Sequence, residues 1–174
     1  MRVPRNLPGR RMHAATELVR RTDEMFGRIS LANGGVSIRE AIVIDNYGSM
    51  DERKEARSKD ELIDWRRLVG TDDLKRHVDA GALCFVDARG LRFYLPACFV
   101  TILSLDTPDD CPELAHAVLF HLADANILFE LLNQPQAVLA RDILLHLQRK
   151  TERSNSLPFR AALRAVNRRL NEQP

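Results

Sequence analysis

The sequence predicts an α+β domain that is mainly α-helical, with about seven helices around one short β-hairpin at roughly 82–95. Three observations support this fold class. Apolar residues recur at three- and four-residue steps along most of the chain. Glycine, proline and asparagine signals separate these segments. One segment instead alternates apolar and polar residues, as a strand does. With 174 residues, 45% of them hydrophobic, the chain is long enough to bury one core.

The first part of the chain predicts three helices. Residues 12–31 carry one apolar stripe, and the Asn-Gly-Gly at 33–35 ends that helix. Ser37 and Glu40 have the spacing of a capping box, so a short helix begins here and ends at an Asn-Tyr-Gly-Ser turn. Residues 51–61 are rich in opposite charges and favour a solvent-exposed helix.

The predicted hairpin follows a helix at roughly 72–80, which Thr71 caps. Residues 83–86 have strand propensity, and Gly90 is placed for the positive φ of a short hairpin loop. Residues 91–95 alternate as the second strand. The next residue, a proline, then opens a buried helix.

The C-terminal part predicts three more helices. Pro112 begins one that runs to about 122, Asn133 caps a long apolar one, and the last covers 156–171. The segment 125–134 fits either a helix or a strand.

Charge is unevenly distributed along the chain. Residues 1–21 carry six Arg and one Glu, residues 141–174 carry eight Lys or Arg and three acids, and residues 22–140 carry twelve bases and twenty acids. We expect 1–11 to form a flexible basic tail and 12–174 a single globular domain. The absence of a signal-peptide pattern and of a long apolar run predicts a cytoplasmic protein that does not engage a membrane.

Three segments of the sequence share a pattern with a known family. They read AIVIDNYGSMDERKEARSKDELIDW, LCFVDARGLRFYLPA and LLNQPQAVLARDILLHL. Together they resemble an uncharacterised bacterial domain family that pairs an A-I-x-x-D-x-Y helix with an F-x-D-x-x-G-x-R-F-Y-L-P-A segment. The resemblance covers about 37–150 and leaves the helix at 156–171 as an addition. It implies a small bacterial cytoplasmic protein with no established activity, cofactor or catalytic residue.

The RFYLPA segment supplies the candidate binding surface, which consists of Asp87, Arg92 and Tyr94. A hairpin would project Arg92 and Tyr94 from the face opposite Phe93, and interfaces favour both residue types. The alternative is a structural role, in which Arg92 pairs with an acid such as Asp45 and Tyr94 donates a hydrogen bond to a helix end.

Catalytic and metal-binding patterns are weak. Glu113, His116 and His121 lack the spacing of a metalloprotease site. Cys98 follows a possible helix start, but its apolar neighbours favour a core cysteine. The sequence therefore predicts no catalytic, metal-binding or cofactor-binding residue.

The leading functional hypothesis is a non-enzymatic protein-binding module, with a toxin-neutralising (immunity-type) protein as one form of it. The acidic body, residues 22–140, would suit a basic protein partner. An unrecognised hydrolase, with Arg92, Tyr94 and a histidine gathered by the fold, is a further alternative.

A nucleic-acid-binding accessory protein is the other alternative. Arg160, Arg164 and Arg168 recur every four residues, so a helix would align them along one side. Such a line of arginines can contact phosphates, and it can equally be a solvated helix face.

Overall fold

A computed structural model describes residues 8–124, 131–151 and 156–171. Over these residues the backbone forms eight α-helices and three short 3-10 turns, and no strand. The helices are α1 (Pro8–Phe26), α2 (Ile38–Asp45), α3 (Met50–Ser58), α4 (Asp72–Asp79), α5 (Ala88–Leu103), α6 (Pro112–Ala123), α7 (Gln134–Gln148) and α8 (Leu157–Asn171).

Two expectations fall partly outside these ranges. The predicted tail at 1–11 lies outside the described residues over 1–7, and its remaining residues form the start of α1. Most of the segment 125–134 lies outside them as well.

The predicted β-hairpin at 82–95 is wrong, and the α+β fold class with it. Ala82–Phe85 forms a 3-10 turn, and residues 88–95 are the beginning of α5. The Asp87 carboxylate caps that helix by accepting a hydrogen bond from the Gly90 N–H at 2.8 Å. Gly90 is therefore a helical residue rather than the positive-φ residue of a hairpin loop.

Helix α5 misled the sequence interpretation because it is buried on almost every side. All seven residues from 93 to 99 are buried, so the apolar pattern shows no helical period. Pro96 was expected to open a helix, but it lies inside α5. A proline within a helix removes one backbone hydrogen bond, and here the surrounding helices provide enough burial to keep the helix continuous.

The predicted caps fare better, because a cap depends on residues close together in sequence. Thr71 accepts a hydrogen bond from the Leu74 N–H at 3.2 Å and starts α4. Asn133 accepts one from the Gln136 N–H at 3.0 Å and starts α7. Both caps are confirmed, as is the charge-rich helix α3, which has no buried residue.

Helix α5 forms the centre of the molecule. It packs against α1, α6 and α7, while α8 packs across α6 and α7. The pair α2 and α3 lies beside the 3-10 turn that precedes α5, and α4 packs on α6. The buried apolar residues form one hydrophobic cluster to which every described helix except α3 contributes. None of the described helices combines the length and the apolar character that a membrane span needs.

Candidate functional site

Asp87 is the first residue of the predicted binding surface, and its carboxylate accepts hydrogen bonds from the backbone of two segments. Its Oδ1 accepts from the Gly90 N–H within α5 and from the Val36 N–H, at 3.0 Å, in the loop before α2. A Cβ atom at position 90 would overlap the Val36 carbonyl oxygen. Asp87 and Gly90 therefore dock the start of α5 against the loop before α2.

Tyr94 completes the same junction from inside the core. Its side chain is 1% exposed, and its hydroxyl oxygen accepts a hydrogen bond from the Ile38 N–H at 2.9 Å. Burial raises the pKa of Tyr94 well above its ordinary value. Tyr94 thus contacts a helix end, as the structural alternative expected, but its oxygen accepts from the first turn of α2.

Arg92 lies on the opposite side of α5, facing α7. One of its terminal nitrogens is 3.4 Å from Oε1 of Gln136, and its Nε is buried without a hydrogen-bond partner among the described residues. The same Gln136 donates to the Met25 carbonyl oxygen at 3.0 Å. Arg92 and Gln136 therefore lie where α5 and α7 meet the end of α1.

The RFYLPA segment is consequently a junction of four helices. Asp87, Arg92 and Tyr94 do not share one open face, and a buried Tyr94 offers no contact area to a partner. Cys98, in the same helix, is fully buried, and burial raises the pKa of its thiol to about 12. It is the core cysteine that its neighbours predicted.

The predicted Asn-Tyr-Gly-Ser turn joins α2 and α3. The exposure and the backbone conformation of Tyr47 within it are the first feature that the sequence interpretation missed. We call residues 45–51, Asp-Asn-Tyr-Gly-Ser-Met-Asp, the Tyr47 turn. The Gly48 N–H bonds to the Val43 carbonyl at 2.8 Å, and the Tyr47 N–H bonds to the Ile44 carbonyl at 3.0 Å. These two bonds form the Schellman motif that closes many helices.

Tyr47 occupies the position of this motif at which glycine is usual. Its φ is 56°, which makes it the one described non-glycine residue in the left-handed region. Its side chain is 97% exposed and makes no hydrogen bond with another described residue. The strained backbone is thus not offset by packing of the side chain.

Ion pairs connect the two helices on either side of the Tyr47 turn. The Glu40 carboxylate of α2 receives Arg53 at 2.9 Å and Arg57 at 3.3 Å from α3. Arg57 also donates to the Leu31 carbonyl at 2.5 Å. The arginines of α3 therefore point inward, and the turn itself carries two carboxylates and no basic side chain.

A cleft on another part of the surface is the second missed feature. It lies between α6 and the segment formed by α4 and the 3-10 turn Ala82–Phe85, and its volume is about 510 Å³. Its wall is largely apolar, with Phe120 57% exposed at the surface. Arg92 and Tyr94 do not line it, so the fold does not gather them with a histidine here.

His121 forms part of the cleft wall and is 3% exposed. Neither ring nitrogen has a hydrogen-bond partner among the described residues. Burial lowers the pKa of its imidazole, an effect that the Asp124 carboxylate partly opposes. The sequence pattern presents His121 only as a weak candidate for a metal ligand. Its place in the apolar stripe of α6, three residues after Val118, was the signal that it faces inward.

The three arginines proposed for nucleic-acid contact lie on α8. Arg160, Arg164 and Arg168 are all exposed, and they form no ion pair with another described side chain. The Nε of Arg164 donates to the Arg160 carbonyl at 3.2 Å. They form a row on the outer side of the helix, whose other face packs on α6 and α7.

Comparison with known proteins gives a family. The model of a family of unknown function (DUF6714) matches residues 14–158, which is most of the chain. No curated protein and no solved structure matches the chain. The chain therefore belongs to this uncharacterised family.

Proposed function

We propose that this member of the DUF6714 family is a bacterial cytoplasmic, non-enzymatic module that binds a basic protein through the Tyr47 turn. The observation that carries the proposal is the conformation of Tyr47. A tyrosine in a left-handed position, 97% exposed, costs the fold free energy and returns no packing. Strained residues that persist in this way concentrate at functional sites.

The chemistry of the turn suits a protein partner. Tyrosine provides a large contact area at a small cost in side-chain entropy, and it is enriched among the residues that dominate binding energy. Met50, in the same turn, is 60% exposed and adds an adaptable apolar contact. Both side chains belong to a turn that backbone hydrogen bonds already order, so binding costs little additional backbone entropy.

The negative charge of the turn favours a partner with a positively charged surface. Asp45 and Asp51 are both exposed residues of the turn. The Asp51 side chain is 93% exposed, although its Oδ1 lies 3.3 Å from Nζ of Lys54. A partner with Lys or Arg around an apolar pocket would complement this surface. A toxin with a basic surface is one such partner, and its capture would make this chain an immunity-type protein.

The proposal is tested by quantitative affinity capture from the native cell with nuclease present, read by mass spectrometry. The wild-type chain is compared with Tyr47→Gly and with Ile63→Ser as a matched control, since Ile63 is another exposed apolar residue, at 64%. We expect a basic protein that wild type and Ile63→Ser retain at equal stoichiometry. Tyr47→Gly should lose it by about tenfold or more.

Purified components then decide the outcome. The captured protein is titrated against the three chains, and charge reversal at Asp45 and Asp51 should weaken binding most at low salt. Equal affinity of wild type and Tyr47→Gly would contradict the proposal, because the strained tyrosine would then have no part in recognition.

A nucleic-acid-binding role is a second candidate, favoured by the exposed row Arg160, Arg164 and Arg168 on α8. Its measurement is the salt dependence of binding to a mixed-sequence duplex. Replacing the three arginines by alanine should reduce the slope of log affinity against log salt by about 3 if each contacts a phosphate. Absence of binding by the wild-type chain at low salt would remove this candidate.

A further inference from the structure

The cleft between α4 and α6 has the dimensions of a small-molecule site. Its volume of about 510 Å³ is within the range of pockets that enclose drug-sized ligands. Val78, Ala117 and Phe120 contribute apolar surface, and Gly81, with a φ of 76° and no neighbour within 4 Å of a built Cβ, leaves one side open. An apolar ring of a ligand would therefore be covered on more than one side.

The unpartnered imidazole of His121 supplies the polar element of this site. A buried polar group without a hydrogen bond is unfavourable, and native proteins satisfy nearly all such groups. A neutral histidine offers one donor and one acceptor, on opposite sides of its ring. The exposed Phe120 ring packs edge-on against it, with centroids 5.3 Å apart, and both rings line the cleft.

The acids around the cleft limit the charge of the ligand. Asp79 and Glu113 line it beside the exposed His116. Both carboxylates are exposed, so their repulsion of an anionic ligand is greatest at low salt. A neutral or cationic ligand would meet no such barrier.

We infer that this cleft binds a neutral or cationic aromatic molecule whose polar group hydrogen-bonds to His121 after Phe120 turns aside. An amide or amidine on a bicyclic ring has the required chemistry, since each presents a donor beside an apolar body. The described cleft residues form no set of three metal ligands, so the site is assigned to an organic molecule. The inference is independent of the Tyr47 turn, whose residues do not line this cleft.

Three isosteric probes test the inference: 2-naphthamide, 2-naphthamidine and 2-naphthoate, which are neutral, cationic and anionic. Each is titrated into the labelled full-length chain, and NMR follows the signals of the His121 ring and the α6 backbone. We expect the first two probes to shift these signals. The naphthoate should bind at least about tenfold more weakly, because Asp79 and Glu113 repel its carboxylate.

Two variants separate His121 from general effects. His121→Leu should weaken naphthamide by up to about tenfold, the worth of one hydrogen bond. His146→Leu is the matched control, because His146 is also buried, its Nε2 bonds to no residue that the structure describes, and it does not line the cleft. Replacing Glu113 by Gln and Asp79 by Asn together should raise the affinity for naphthoate.

Three results would overturn the inference. The first is that no probe shifts the α6 signals up to its solubility limit. The second is that naphthoate binds best, and the third is that His121→Leu binds naphthamide as tightly as wild type does. Because His121 makes no hydrogen bond within the described protein, the variant should remain folded, which the α6 spectrum itself shows.

Discussion

Tyr47 and His121 share one property at the scale of single residues: each is less favourable for the fold than a simpler residue would be. Tyr47 holds a left-handed backbone without burying its ring, and His121 buries two ring nitrogens that bond to no other residue in the described part of the chain. Glycine at the first position and leucine at the second would remove these costs. The two proposals above each assign a binding role that would account for the residue.

Tyr47→Gly should therefore stabilise the protein while it weakens partner binding. Relief of the left-handed strain is worth about 1 kcal/mol, which raises Tm by about 2–4 °C for a chain of this size. Urea unfolding and thermal melting measure the change.

Asn46→Gly is the neighbouring control. Asn46 has a φ of −87°, and its side-chain amide donates to the Ile42 carbonyl at 2.8 Å. Glycine there gains no relief of strain and loses that bond, so it should destabilise. A lower Tm for Tyr47→Gly would show that the tyrosine stabilises the turn after all.

His121 should make the stability depend on pH. Burial lowers the pKa of the folded imidazole below its ordinary value of 6.5, so the unfolded chain binds the proton more readily. Stability is then fully present above about pH 6.5 and decreases as the pH falls through that value toward the folded pKa. Urea unfolding at several values between pH 7.5 and 5.5 measures this decrease.

His121→Leu should lose that part of the pH dependence, so its advantage over wild type should grow with acidification. Ile63→Ser, which changes an exposed residue without a titratable group, should follow the wild-type profile. Parallel profiles for wild type and His121→Leu would mean that the buried ring does not titrate in this range.

At the scale of elements, the junction between α5 and α2 determines how the helices are assembled. Tyr94 and Asp87 of α5 accept backbone N–H groups at and just before the start of α2, and Gly90 allows the two segments to approach closely. Tyr94 and Asp87 therefore bind the backbone of this junction, while Arg92 faces the Gln136 side chain of α7.

Tyr94→Phe should destabilise by about 1–3 kcal/mol, because it leaves the buried Ile38 N–H without an acceptor. The chain has two tyrosines, and Tyr47→Phe removes the same hydroxyl at a site 97% exposed. That control should change the free energy of unfolding by less than about 0.5 kcal/mol. If the two substitutions changed the free energy of unfolding equally, the hydrogen bond between Tyr94 and Ile38 would not stabilise the fold.

Local signals explain which elements sequence reasoning predicts. Thr71 and Asn133 act on residues three positions away, so their caps are visible in the sequence. The nature of α5 depends on neighbours on every side, and a segment buried all round has no period that separates helix from strand. The left-handed conformation of Tyr47 could not be predicted either. The motif usually has glycine at the left-handed position, but here the glycine is the next residue, Gly48.

At the scale of the whole molecule, one hydrophobic cluster connects helices from both halves of the chain. Trp65, the single tryptophan, is 2% exposed, and its indole N–H donates to the Phe26 carbonyl at 3.0 Å. It therefore reports on the packing of the 3-10 turn Trp65–Leu68 against the end of α1.

Loss of Trp65 burial should coincide with loss of helix. Fluorescence and far-UV circular dichroism, followed through the same urea titration, are expected to give one transition with the same midpoint. Two separate midpoints would divide the protein into independently stable parts and would contradict a single core.

The candidate sites themselves were beyond reach of the sequence. A cleft arises where α4 meets α6, and no local pattern encodes the space between helices that are distant along the chain. Helical periodicity does place His121 on the inner face of α6. Periodicity does not show whether the ring nitrogens of His121 find a hydrogen-bond partner, because that depends on the residues across the cleft.

The Schellman position also has a consequence for the history of the family. Where a partner is lost, selection for stability alone would favour glycine at residue 47, and codon changes toward it would no longer be removed. Descendants that still meet the partner would keep an aromatic ring there despite its cost. The identity of this one residue would then sort the lineage into chains that retain their interaction and chains that have abandoned it.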